Sequence, residues 1–432
     1  MKAAMILALY LSDQLVSEML PLSSGLFPVA LIAMCMSRVV VYPRVLARAV
    51  AFGVLALATG FVGALLSGTP ISALFVATVV LLACMYVFGA GLRGFDTVLI
   101  TPNAAFVGVL IASSFLLFSV LGWDAMSIVQ GKPTNRGAGL FIEPSHYALF
   151  VMPLWLMAFQ KRQYRIWLYV ALVFSIVKCF SATLLAFTTI AFVLTAYLQN
   201  SLIKLDLHKA GRWCAGGLVL LLVTYGLAGF VYVDDEPLQG YVGSRLYSLV
   251  NPDDAEAYNL SSLVALQGIE LAKISITHSL GLGVGLGNFG TSEQIVNQSD
   301  YRTVIQTITD GEDLNLRDGA SLASKLVGEL GILSLAVTLL LVRCFRNLKN
   351  VRNSRIMGYH GAIAVVLVCL LFVRALPYFS APACLAFLSI VGLLNYRARL
   401  AIRPCSGYSS GRRCLGNLRS SELTSRHAMP LC

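Results

Sequence analysis

The sequence predicts an all-α polytopic membrane protein with eleven or twelve transmembrane helices. Hydrophobic residues make up 57% of the 432 residues and charged residues only 12%, about half the charged fraction of a typical soluble domain. The mean hydropathy is +0.78. Apolar runs of roughly 17–22 residues recur along the chain, and each is long enough to cross the hydrocarbon core of a bilayer.

The apolar runs give the predicted spans in order. Residues 3–20 form either a first span, interrupted by Asp13, Gln14 and Glu18, or an uncleaved signal-like segment. The other eleven spans are predicted near 22–41, 49–67, 71–90, 104–122, 144–160, 166–180, 182–199, 214–233, 321–342, 358–375 and 380–396.

The basic residues predict the orientation of these spans. Lys and Arg cluster in four of the connecting loops, and the predicted spans place all four loops on one side with the C-terminal tail. By the positive-inside rule this side is the cytoplasm, so the loops 123–143 and 234–320 face outward. Residues 234–320 carry thirteen of the 21 acidic residues. The net charge of +11 therefore reflects the cytoplasmic side, and nucleic acid is not expected as a partner.

The chain is predicted to be one catalytic domain with a tail. Residues 1–396 form the polytopic membrane domain, 234–320 its large outer loop with short helices, and 397–432 a disordered cytoplasmic tail rich in Ser, Gly and Arg. Within the loop, residues 259–278 have apolar side chains at helical spacing but are too polar to span a membrane. Alternate glycines follow from Gly281 to Gly287, without the Lys-Ser/Thr of a nucleotide-binding loop.

The stretch RGAGLFIEPSHY, residues 136–147, offers the densest group of candidate catalytic residues. Pro144 suits the first position of a helix, which places Glu143 at the N-cap and His146 in the first turn. Arg136 precedes them on an outward loop. Guanidinium groups suit phosphate oxygens, and a carboxylate or an imidazole can accept a proton from an attacking hydroxyl. We therefore expect Arg136, Glu143 and His146 to be catalytic, with no metal and no cofactor, because no metal-ligand spacing is present.

These residues belong to a pattern that resembles the bacterial O-antigen and exopolysaccharide polymerases, the Wzy-type enzymes related to O-antigen ligases. RGAGLFIEPSHYA is similar to the Arg-…-Phe-x-Glu-Pro-Ser-x-x-Ala stretch of that family. Further resemblance lies in three stretches, SLVALQGIELA (262–272), GLGVGLGNF (281–289) and LNLRDGAS (314–321), the last followed by Lys325 and Glu329-Leu-Gly331.

The resemblance implies a GT-C-like membrane glycosyltransferase that joins undecaprenyl-diphosphate-linked repeat units at the periplasmic face of the bacterial inner membrane. Its partners would be the lipid-linked glycan donor and acceptor, membrane lipid, a chain-length regulator and other polysaccharide-assembly proteins. Arg136 and Glu143 would lie at the active face. Asn315 and Asp318 would lie at the junction between the large outer loop and the next helix, and Arg245 falls in that loop, where the family uses arginines. We expect these three residues to bind the substrate together with four others: His278, Gly285, Gly287 and Arg317.

Two alternatives remain open at the level of sequence. An O-antigen ligase performs the same chemistry with lipid A-core as the acceptor. A polysaccharide flippase or transporter belongs to a different class, which tends to show internal repeats and charges near the midplane of the membrane. This chain shows no repeat, and its charges gather in the outer loops.

Overall fold

The computed structural model describes most of the chain up to residue 395. The described residues are 2–19, 26–36, 39–92, 98–121, 123, 125–130, 138–141, 143–179, 182–200, 260–309, 311, 313–314, 316–317, 319–351 and 354–395. The predicted span 214–233 and the tail 397–432 lie outside them.

The described residues form helices and no strand, which confirms the all-α class. The first half contains α1 (Lys2–Met19), α2 (Leu26–Cys35), α3 (Pro43–Leu66), α4 (Ala73–Gly91), α5 (Pro102–Val120), α6 (Ala125–Gln130), α7 (Pro144–Phe159), a 3-10 turn (Arg162–Tyr164), α8 (Arg165–Cys179) and α9 (Ala182–Asn200). The second half contains α10 (Leu260–His278), α11 (Glu293–Val296), α12 (Asp300–Ile308), α13 (Leu322–Leu330), α14 (Leu333–Lys349), α15 (Ser354–Phe372) and α16 (Ala381–Leu394).

Four of the described helices are long and apolar enough to cross a membrane: α3, α4, α5 and, over Arg355–Phe372, α15. Large parts of α3, α4 and α5 expose Leu, Val and Phe side chains. Apolar surface of this extent is unfavourable in water but suits lipid chains. Membrane association therefore follows from the structure as well as from composition.

Helix α7 lies at the centre of the bundle, packed against α5, α9 and α15. Its side chains are apolar around the whole circumference, and nearly all of them are buried, from Tyr147 to Ala158. A helix that is apolar on every face is stable only when other helices surround it. The N-terminal end of α7, which carries Glu143 and His146, is therefore held in place by the core.

Helix α1 is formed despite the polar residues that interrupt its apolar pattern. Asp13 accepts a hydrogen bond from the backbone N–H of Ala381 at 2.9 Å, and Gln14 is hydrogen-bonded to His146. These side chains point toward other helices, because an unpaired polar group among apolar residues is costly. At Asp13 and Gln14, the polar residues that interrupt the pattern thus make tertiary contacts.

The predicted single span 321–342 is wrong, since the chain breaks there into α13 and α14. Gly331 ends α13 with φ 52°, a conformation that favours glycine, and its N–H is bonded to the carbonyl of Val327. The next residue, Ile332, donates its N–H to the carbonyl of Gly281 at 2.8 Å. In a continuous helix this N–H would donate to a carbonyl of the preceding turn. Here it donates to the loop of alternate glycines instead.

The described part of the predicted outer loop, residues 260–320, contains short helices, as the sequence predicts. Helix α10 occupies Leu260–His278 as expected and packs against α12 and α13. Its apolar side chains Leu263, Val264 and Leu271 are buried there. The following glycine loop, residues 281–290, packs against α3, α4 and α13.

Candidate active site

The N-terminal end of α7 has the local structure that the Glu-Pro-Ser sequence predicts. Glu143 is the N-cap residue in extended conformation, and Pro144 occupies the first turn, where its missing N–H is not needed. The carbonyl of Glu143 accepts the N–H groups of His146 and Tyr147 at 3.0 and 3.1 Å. The Glu143 side chain makes no capping hydrogen bond, so its carboxylate is available for other contacts.

The carboxylate of Glu143 is paired with Arg374, a residue 231 positions away in sequence. Arg374 Nη2 donates to Glu143 Oε2 at 3.0 Å, and the hydroxyl of Ser145 donates to the same oxygen at 2.8 Å. The side chains of Glu143 and Arg374 remain 46% and 21% exposed. An ion pair with this exposure contributes only about 0–1 kcal/mol to stability. A contribution to stability therefore does not by itself explain why Glu143 and Arg374 are paired.

The guanidinium group of Arg374 has more N–H donors than its hydrogen bond to Glu143 uses. A guanidinium group has five N–H donors. Within the described part of the chain, Glu143 is the one hydrogen-bond acceptor recorded for it. Arg374 can therefore hold Glu143 with one edge and donate hydrogen bonds to phosphate or carboxylate oxygens of a ligand with another.

His146 lies on the first turn of α7, beside Glu143. Its Nδ1 is 2.7 Å from Nε2 of Gln14 on α1, and Gln14 is buried. Burial opposes ionisation of Glu143, but the charges of Arg374 and His146 and the hydrogen bond from Ser145 together outweigh it and lower the pKa of that carboxyl. Glu143 is thus ionised at neutral pH and can act as a proton acceptor.

Sequence reasoning missed Arg374 because it lies inside the predicted span 358–375. In the structure α15 ends at Phe372, and Arg374 belongs to the loop 373–380. The available signal was its position: an arginine at the predicted outer end of a span, opposite to the cytoplasmic bias of the other basic residues.

The loop that carries Arg374 also joins α7 to the segment before α13. The N–H of Ala375 donates to the carbonyl of Ala320 at 2.8 Å, which fixes the loop against the segment leading into α13. A Cβ atom at Gly268 on α10 would collide with the backbone of the neighbouring Gly319. Arg374 and Ala375 therefore link Glu143 to the segment at residues 319–320, and that segment contacts Gly268 directly.

The glycine loop is a docking element between helices. A Cβ atom at Gly63 on α3 would overlap the carbonyl of Gly283, and one at Gly60 would lie 2.9 Å from Cα of Gly285. Gly285 and Gly287 both adopt positive φ, of 91° and 83°. Close backbone contact and positive φ account for glycine at these positions. Their predicted contact with a glycan stays a prediction.

A buried carboxylate fastens the glycine loop to the Arg374 loop. Glu329 is 1% exposed and accepts hydrogen bonds from the hydroxyl of Tyr378 at 2.5 Å and the N–H of Phe289 at 3.3 Å. Lys325, one helical turn earlier on α13, has its ammonium group 4.9 Å from the centre of the Tyr378 ring. Both loops are thus held by side chains of α13.

Of the other predicted site residues in the outer loop, Arg317 and His278 are among the described residues. Arg317 is exposed, and His278 is hydrogen-bonded through Nε2 to Oε1 of Gln298 at 2.9 Å. Among the described residues, no group of three or more His, Cys, Asp and Glu side chains could hold a metal ion. Four predicted site residues lie outside the described residues: Arg136, Arg245, Asn315 and Asp318.

Comparison with protein-family models, with curated proteins and with solved structures found no match to this chain.

Proposed function

We propose that the chain is a multi-pass glycosyltransferase of the bacterial inner membrane that polymerises undecaprenyl-diphosphate-linked oligosaccharide repeat units at the periplasmic face. The observation that carries the proposal is the partly exposed Glu143–Arg374 pair at the N-terminal end of α7, with His146 beside it. An ionised carboxylate next to an anion-binding guanidinium suits the transfer of a sugar from a diphosphate leaving group.

In the proposed reaction, the hydroxyl oxygen of the acceptor glycan attacks the anomeric carbon of the donor glycan. Glu143 accepts the hydroxyl proton as the new C–O bond forms. The bond from the anomeric carbon to the diphosphate breaks, and the lipid diphosphate leaves with its electron pair. Arg374, together with Arg136 and Arg245, stabilises the negative charge on that leaving group. The product is a lengthened glycan on one lipid and a free lipid diphosphate.

The arrangement of the resembling stretches supports this proposal. The Glu-Pro-Ser segment is linked through the Arg374 loop to the segment before α13, which contacts the Gln-Gly-x-Glu turn of α10. The glycine loop contacts α13 itself. In the proposed GT-C-like architecture the helix bundle holds the lipid diphosphate. The outer region, including Arg317 and His278, faces the glycan, and a chain-length regulator would act from the same side.

The test is a deletion strain complemented with Glu143→Gln, which preserves the shape of the side chain but removes the proton acceptor. We expect surface glycans with single repeat units and a loss of polymerisation rate of about 10²–10⁴-fold, typical of a missing general base. Glu293→Gln is the matched control, because Glu293 is an exposed carboxylate at the start of α11. Both variants must accumulate to the wild-type level.

The deletion strain itself separates the alternatives. Single-repeat caps on the lipid A-core indicate a polymerase. Lipid-linked polymer that accumulates beside uncapped core indicates a ligase, and failure of repeat units to reach the outer leaflet indicates a transporter. Either of the last two results would refute the proposal.

A further inference from the structure

The glycine loop contacts two of the candidate membrane spans below their outer ends. It packs on Gly60 and Gly63 of α3, which lie about 9 and 5 Å before the end of that helix at the usual rise per residue. On α4, a Cβ atom at Gly287 would lie 3.1 Å from Oγ1 of Thr78, a residue about 8 Å beyond the start of the helix. The predicted orientation makes these the outer ends of the two helices. Both helices therefore place the loop about one to two turns below the outer end of a span.

At this depth the exposed surface of α3 is still apolar. Phe61, Val62 and Leu65 are exposed on the turns that touch the glycine loop. The hydrocarbon core takes about 20 residues of helix, so a span that begins after the exposed Arg48 extends beyond these turns. The glycine loop therefore lies at a level where α3 faces lipid chains rather than water.

An independent measure of depth comes from α14. Leu335 and Leu339 are exposed on this helix, and its basic last turn, on the predicted cytoplasmic side, includes Arg346. Ile332, just before the helix, is separated from Arg346 by about 21 Å of helix, which is less than the roughly 30 Å of the hydrocarbon core. Because the N–H of Ile332 donates to the carbonyl of Gly281, this end of the glycine loop also lies within the hydrocarbon.

The backbone of the glycine loop is suited to this depth. Irregular backbone is tolerated inside a membrane only where protein covers it and satisfies its polar groups. Residues 283–286 are all buried. The N–H groups of Gly283, Val284 and Gly285 all donate hydrogen bonds, two of them to carbonyls of α13 and one to the hydroxyl of Ser279. This part of the loop therefore meets both conditions.

Two exposed apolar side chains lie beside the buried part of the loop. Leu280 is 78% exposed and has a φ of 52°, which residues other than glycine rarely adopt. Ile332 is 64% exposed, and its backbone is bonded to Gly281, the residue next to Leu280. Water offers neither side chain a favourable contact, whereas lipid chains do.

We propose that the glycine loop re-enters the outer leaflet of the membrane, and that Leu280 and Ile332 form its contact surface with lipid acyl chains. Lipid is the occupant because this surface continues the exposed apolar surfaces of α3 and α14 at the same depth. The predicted outer loop is then partly a membrane-embedded element. The proposal concerns the placement of the loop and does not depend on the proposed enzymatic activity.

The contact with lipid can be measured by fluorescence quenching. Leu280→Trp adds one tryptophan to the four of the wild type. The full-length proteins are reconstituted into vesicles of dioleoylphosphatidylcholine with or without bromine on the acyl chains, and bromine quenches the tryptophans that it contacts. We expect brominated vesicles to remove most of the emission that Leu280→Trp adds to that of the wild type. Ile332→Trp is a second variant of the same surface and should lose its added emission in the same way.

Glu293→Trp is the matched control, because Glu293 is exposed at the start of α11 and its charge favours a surface in water. Its added emission should be the same in both kinds of vesicle. Unquenched emission from Leu280→Trp and Ile332→Trp would overturn the proposal, because water or another protein would then cover this surface. Equal quenching of all three variants would also contradict it, since the loop would then lie no deeper than the charged surface.

Discussion

Docking of the glycine loop on α3 can be tested with two glycines of the same helix. A Cβ atom at Gly63 would overlap the carbonyl oxygen of Gly283 and lie 3.0 Å from its carbonyl carbon, so the backbones must separate. At Gly53 the new methyl group would meet only Cγ1 of Val79, at 3.9 Å. Gly63→Ala is thus the perturbation, and Gly53→Ala is its control with the same change in composition.

Two opposing effects determine the expected change in the free energy of unfolding. Alanine is about 1 kcal/mol more favourable than glycine inside a helix, and both variants gain this. Overpacking at Gly63 costs about 1–3 kcal/mol, and only that variant incurs it. The difference in the free energy of unfolding between the two variants is therefore about 1–3 kcal/mol, with Gly53→Ala the more stable.

The assay is thermal unfolding of the purified proteins in one detergent, followed by helical circular dichroism. The expected order of midpoints is Gly53→Ala at or above the wild type, and Gly63→Ala below it. Equal midpoints for the two alanine variants would refute the docking of the loop on α3, because the steric term would then be absent.

Three further predictions concern the contacts around the site. Tyr378→Phe removes a hydroxyl donor from the buried carboxylate of Glu329 and should destabilise the protein by about 1–3 kcal/mol in the same unfolding assay, whereas an unchanged midpoint would argue against this hydrogen bond. Because the pKa of Glu143 is lowered on folding, its contribution to stability is present above the usual carboxyl range, near about pH 4–5, and is lost as the pH falls through the folded pKa. The difference in midpoint between the wild type and Glu143→Gln should therefore shrink on acidification, and a difference that grows would contradict the pairing with Arg374. Gly268→Ala should lower the midpoint as well, since its Cβ would collide with the backbone of Gly319, and a neutral effect would argue against this contact.

Local features of the site could be predicted from the sequence, because they depend on neighbouring residues. The Glu-Pro-Ser order specifies an extended N-cap residue and a proline in the first turn, and the structure has both. Likewise, the spacing of apolar residues predicts α10 almost to the residue. Propensity and capping rules act within a few positions, so a single sequence contains the information.

Features that depend on distant contacts could not be predicted. The pairing of Glu143 with Arg374 joins residues 231 positions apart, and no local pattern specifies it. The break between α13 and α14 depends on the carbonyl of Gly281, which accepts the N–H of Ile332. The apolar residues on both sides of Gly331 resemble a continuous span until that partner is known.

Apolar and polar side chains occupy different parts of the described helix bundle. Helices α3, α4 and α5 present apolar side chains outward, whereas α7 and α15 are enclosed. Polar side chains are tolerated in such a bundle only where partners satisfy them, and they gather where α1, α7, α13 and the loop 373–380 meet. This concentration of polar contacts is the physical basis for placing the candidate site there.

The most direct test of the account is the length of the surface glycan made by a deletion strain that carries Arg374→Gln. Arg44→Gln serves as the control, because Arg44 is an exposed arginine near the start of α3, on the predicted cytoplasmic side. We predict single-repeat glycans for Arg374→Gln and full-length polymer for Arg44→Gln, at equal protein levels. Full-length polymer from the Arg374→Gln strain would contradict the central claim that Glu143 and Arg374 promote transfer of the glycan from its lipid diphosphate.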